Sequence, residues 1–266
     1  MATAVPANNT IADLARSARD WLAGWWHIVL FSARLMVLAF SPSSYRGASR
    51  AAMARQMVDD TAPVLLWFTL LSALVSLVII HIVVVTSVSY GLSRYALEMV
   101  VRVLVLELIP LTAAMFVALQ VALPNAAEVA AVLPQDGGVH AGRRVQLLNT
   151  EILPRVLSGI FAVLLLAAVS CVVVAVLAYL WVHGFTAGGF AGYTRTFGRI
   201  FDPTVTLIFT LKTLGLALAV GLLPIASVLY DRPRVRERKS AELRGLVRLF
   251  FALLVIEVAA LVANYL

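Results

Sequence analysis

The chain has 266 residues, 62% of them hydrophobic and 13% charged, with a net charge of +7 and a mean hydropathy of +0.95. Soluble domains run at about 45–50% apolar and about 25% charged, so this composition excludes a soluble domain and points to an integral membrane protein. The basic residues cluster in the connections between apolar runs, which suits juxtamembrane segments facing anionic lipid and excludes a nucleic-acid site. The single cysteine, Cys171, lies in an apolar run and leaves no internal disulfide possible.

In chain order, residues 1–10 are small and polar and read as a disordered tail. The order of a signal peptide, basic then apolar then small, is not found at this start. From Ile11 to Phe40, Asp13, Arg16, Arg19, Asp20, His27 and Arg34 interrupt apolar residues and three tryptophans at helical spacing. This predicts one or two amphipathic helices lying in the membrane interface; the run from Trp25 to Phe40 is shorter than the roughly 20 residues a span needs. Tyr45–Asp60 reads as a further polar helical segment, so residues 11–60 form an interfacial region. Asp59 and Asp60 before Pro63 mark a helix start.

Five spans follow in residues 61–266. The first, Val64–Val88, carries Ser72, Ser76 and His81. His81 has two readings, a core histidine paired across helices or a member of a transport path. The second, Met99–Val121, holds Glu107 and Pro110. An intramembrane glutamate faces protein, a cavity or a partner, and a proline there frees a carbonyl that the protein must satisfy internally. Pro124 and Pro134 then flank a short helical piece, Asn125–Leu133, and a polar stretch with Gly137, Gly138, Arg143 and Arg144 leads to Pro154. The third span, Val156–Val182, has small packing residues at Ser158, Gly159 and Ser170. Gly184–Asp202 reads as a loop or short surface helix. The fourth span, Thr204–Tyr230, contains Lys212, Gly215, Gly221 and Pro224. The fifth, Gly245–Tyr265, contains Glu257. Lys212 and Glu257 are expected either to pair and fix the register of the last two spans or to meet a substrate headgroup.

The loop before the fifth span holds Arg232, Arg234, Arg236, Arg238, Lys239, Arg244 and Arg248 and is expected on the cytoplasmic side. Alternation then gives a cytoplasmic N-terminus and a periplasmic C-terminus. The sequence has no Gly-rich loop ending in Gly-Lys-Ser/Thr and no clustered His/Cys metal pattern, so no catalytic residue, metal ligand or nucleotide site of its own is expected.

Glu107-Leu108-Ile109-Pro110, the apolar stretch to Gln120, and Ala127-Glu128-Val129 resemble the MlaE/YrbE-type permeases of MCE-linked ABC lipid transporters. The family pattern is Glu-Leu-Gly-Pro, an apolar stretch, Gly-Arg, then Ala-Glu-Ile/Val-Gly. Pro154-Arg155 before the third span and Leu211-Lys212 inside the fourth are similar to further family positions. Ile109, Gln120 and Ala130 depart from the pattern and mark a divergent member. The resemblance implies an all-α MlaE-like permease fold with an N-terminal interfacial helix and five transmembrane helices. It implies a bacterial inner-membrane location and a dimer with a second permease subunit. The further partners it implies are a cytoplasmic ABC ATPase, a periplasmic MCE-domain protein and phospholipid. Glu128, Val129 and Leu133 fall in the family's coupling segment to the ATPase. ATP and Mg would be used by that ATPase, with no cofactor bound by this chain. Val64–His81 and Leu253–Leu261 are the segments expected to face the lipid cavity that such a dimer encloses. A non-transporting scaffold or assembly subunit of such a complex is the alternative.

Overall fold

In hydrocarbon every backbone N–H and C=O has to be satisfied within its own segment, so long apolar runs fold as helices. The computed structural model describes residues 25–26, 28–37, 48–92, 95–132, 148–230 and 238–265, and these form no strand. The tail at 1–10, residues 11–24, Leu133, the stretch with Gly137, Gly138, Arg143 and Arg144, and Arg232, Arg234 and Arg236 lie outside the described residues.

Helix α1, Ile28–Val37, buries Ile28, Phe31 and Leu35 and exposes Val29, Leu30 and Val37. That is the one-sided spacing of an amphipathic helix. Helix α2, Ala48–Ser89, is a single rod of 42 residues with Pro63 inside it. The helix start expected at Pro63, and the separate polar segment Tyr45–Asp60, are therefore corrected to one helix that also runs through the boundary set at residues 60 and 61. A mid-helix proline costs about 3 kcal/mol. The packing of α2 along α4, the most extensive between any two helices, holds the rod together across that fault.

Helix α3, Ala96–Val132, is the second span and continues through both Pro110 and Pro124. Two stretches of it, Val101–Leu108 and Ala118–Ala122, are π-helical. Each lies just before a proline. The wider turn moves the hydrogen-bond ladder out of the register that the proline ring would block. The expected break at Pro124 is absent for this reason, and Asn125–Val132 extends the span instead of forming a separate helix.

A π turn at Leu148–Ile152 leads into α4, Leu153–His183, with Pro154 in the first turn, where its missing N–H costs nothing. Gly184, at φ 65°, ends α4. Helix α5, Phe190–Ile200, is the short helix in the third connection. It is tied down by Tyr193, whose hydroxyl donates to the Ala175 carbonyl at 2.7 Å. Burial pushes that phenol up to about 12, so it stays a donor. Helix α6, Pro203–Tyr230, starts with Asp202 accepting from the Val205 N–H at 2.8 Å, an N-cap followed by proline at the first helical position. Helix α7, Arg238–Tyr265, closes the bundle.

Among the described residues, five helices are thus long and apolar enough to cross a membrane. Burial sorts them into inner and outer positions. Within its most apolar window α3 is 56% buried, against 17% for α2 and for α7. The core therefore gathers around α3, with α4 and α6 against it and α2 and α7 outside. Where α4 crosses α6, the backbones meet at Gly159 and Gly221, and a Cβ placed on Gly159 would sit 3.4 Å from the Gly221 Cα. Small residues are what permit that approach.

Candidate functional site

A carbonyl in the turn before Pro110 accepts from a side chain of another helix. Pro110 has no N–H to give to Leu106 four residues back. The Lys212 ammonium, reaching across from α6, donates to the Leu106 carbonyl at 3.1 Å. The same nitrogen is paired with the Glu107 carboxylate on α3 and with Glu257 Oε1 on α7, the latter at 2.7 Å. One ammonium thus joins three helices inside an apolar bundle. The Lys212 side chain is 2% exposed, whereas Glu107 is 28% and Glu257 17% exposed. The lysine is sealed in and the carboxylates open outward, Glu107 into a narrow cleft with Phe209, Ala260 and Asn264. The sequence paired Lys212 with Glu257 and left Glu107 and the Leu106 carbonyl out of that pairing.

A second polar junction lies toward the other end of α3. Asp60 of α2 accepts from Asn125 Nδ2 at 2.8 Å, from Ser158 Oγ at 2.5 Å and from Gln56 Nε2 at 3.0 Å. Asn125 is 5% exposed and Ser158 fully buried. Sequence reasoning used Asp60 only as a helix-start acid and Ser158 only as a small packing residue. The available signal was an Asp three residues before Pro63 and an Asn directly after Pro124, at the same membrane boundary.

Arg155 forms a third junction beside it. Its guanidinium donates to Glu151 Oε2 at 2.6 Å and the Glu151 carbonyl at 2.9 Å, and reaches Glu128 Oε2 at 3.3 Å. Glu128 is 61% exposed and so remains open to a partner, while Val129 one residue on is buried against the bundle. Gln120 is exposed on α3, and Pro154 is buried in the first turn of α4.

His81 stands apart from all three. It is exposed on α2, with its ring edge-on to Trp181 of α4, centroids 5.2 Å apart at 85°. The core-histidine reading is corrected on this point. An outer helix buries only its seam with α4, and His81 falls beside that seam. A shallow groove between α2 and α3, lined by Phe68, Ser72, Ser76, Ile109 and Thr112, is apolar with a hydroxyl edge.

The family model described as Permease MlaE matches residues 53–263. The chain belongs to the MlaE permease family. No curated protein matches it. The match runs from the first turns of α2 almost to the end of α7 and so includes all three polar junctions. This permease is therefore a multi-pass membrane subunit of an ABC transporter.

Proposed function

We propose that this permease moves phospholipid, or a related amphiphile, between the bacterial inner membrane and a periplasmic MCE-domain protein. It works as a dimer with a second permease subunit, and a cytoplasmic ABC ATPase supplies the energy from ATP and Mg. The observation that carries the reading is the Lys212 junction. A lysine within an apolar bundle is costly. Here it is kept with two partly open carboxylates beside the apolar face of α7. A lipid needs that combination, an apolar wall for its tails and a few polar groups for its head.

The outward faces fit this division. Leu66, Leu70 and Leu74 on α2, and Leu254, Val258 and Leu261 on α7, are exposed. They lie within the two segments expected to face lipid. The end of α3 with Glu128 and Val129 is the contact for the ATPase, next to the basic residues that hold this side in the cytoplasm. ATP binding and release bias the two states of the bundle, and lipid moves because it binds them unequally.

The test is lipid transfer by the permease reconstituted with its ATPase. Leu70→Arg or Val258→Arg should abolish ATP-driven transfer while the ATPase stays bound, since a charge on the tail-binding wall excludes acyl chains. Unchanged transfer in both variants rejects the reading.

A further inference from the structure

Asp60 has a role that neither the packing of the bundle nor the Lys212 junction requires. Its carboxylate is filled by donors from α2, α3 and α4. Three residues further along α2 is Pro63, where the ladder lacks one bond. Prolines are where long helices bend. Asp60 therefore grips α2 just before its weakest point. Its partner Asn125 stands at the head of the last turns of α3, and Arg155 takes hold of the same turns through Glu128. The final segment of α3 is thus clasped from two sides, by α2 through Asp60 and by α4 through Arg155.

We infer that Asp60 is a positioning residue of the transport cycle, which hands displacement of the Asn125–Val132 segment to α2 at the Pro63 hinge. This rests on the transport reading above. Asn125 and Ser158 are buried, so parting either from Asp60 leaves a polar group with neither water nor partner. The segments consequently move together. Beyond the hinge α2 is held by its seam along α4, and its other faces lie outside the bundle. A small shift at Asp60 is carried outward along α2 to Leu66, Leu70 and Leu74, the face assigned to lipid. Lys212 makes no contact with α2 among its hydrogen bonds and ion pairs, so its junction does not supply this link.

The experiment measures lipid moved per ATP hydrolysed by the reconstituted permease and ATPase. Asp60→Ala should lower that ratio about five-fold or more, the low end of coupling between linked sites. The exchanged pair, Asp60→Asn with Asn125→Asp, restores an amide donor facing a carboxylate and should return the ratio to within about two-fold of wild type, a recovery that lost packing would not give. A wild-type ratio in Asp60→Ala overturns the inference, as does an exchanged pair no better than Asp60→Ala. Where Asp60→Ala does not fold, Asp60→Asn alone takes its place, keeping an acceptor for Ser158. If the wild-type permease moves no lipid, the transport reading fails, and a second measurement decides the role of Asp60. Spin labels at position 70 on α2 and at the exposed position 207 on α6, with Cys171 replaced by alanine, should change their separation with nucleotide in wild type and not in Asp60→Ala, where α2 no longer follows the segment. Equal changes in both overturn it.

Discussion

Lys212 is surrounded by three acceptors drawn from two other helices. Two are carboxylates and the third is the Leu106 carbonyl, in the turn before Pro110. Removing one partner of a buried charge cluster is more harmful than never having built it, because the remaining charges stay desolvated. Lys212→Met should therefore cost about 3–5 kcal/mol of stability, read by equilibrium unfolding in mixed micelles. Glu257→Gln keeps an acceptor for the ammonium and should cost less than half as much. Equal unfolding of Lys212→Met and wild type would show that the cluster contributes nothing to holding α3, α6 and α7 together. Part of this was legible beforehand, since isolated charges in two apolar helices invite pairing. The Leu106 carbonyl was not, because its availability depends on the π-helical register of α3. Nor was Asp60, whose partners lie 65 and 98 positions away and whose type is ordinary near a helix start.

Among the elements, α4 and α6 approach so closely at Gly159 and Gly221 that Gly221 has no room for a methyl group. A Cβ on Gly221 would lie 2.8 Å from the Val156 carbonyl oxygen and 2.7 Å from Ile160 Cγ1. The isoleucine can turn away, but the helix carbonyl cannot, so Gly221→Ala forces the helices apart. The expected cost is about 1–3 kcal/mol, typical of overpacking. Gly188→Ala, whose Cβ would meet nothing within 4 Å, should stay within about 0.5 kcal/mol of wild type. Comparable melting of the two variants would mean that this crossing is looser than its geometry. The existence of the spans was readable from hydropathy, but their continuity was not. Proline marks where a helix loses a bond, at 63, 110 and 124. Whether it breaks there depends on long packing seams or local π turns, and these follow from tertiary contacts that lie far apart in sequence.

For the whole molecule, burial and charge divide the bundle along two directions. Across the membrane plane α3 is central and α2 and α7 lie outside it. Along the membrane normal, the contacts of Asp60 and Arg155 bring the start of α2, the end of α3 and the start of α4 to one end, and Gly221 against Val156 and Gly245 against Ser227 add the end of α6 and the start of α7. Arg50, Arg55, Arg155, Arg244 and Arg248 belong to that end, and α5, with Arg195 and Arg199, to the other. Lysine and arginine are retained on the cytoplasmic side, so the end with Glu128 should face the cytoplasm, where an ATPase can reach it. Single cysteines test this, with Cys171 replaced by alanine and labelled by a membrane-impermeant maleimide. A cysteine at Gly188, in open space on the α5 side, should react in intact cells. One at Arg55, exposed on α2, should react only after the membrane is opened. The opposite pattern would put Glu128 and Asp60 on the far side from any cytoplasmic ATPase, and the assigned route from nucleotide to lipid would have no entry point.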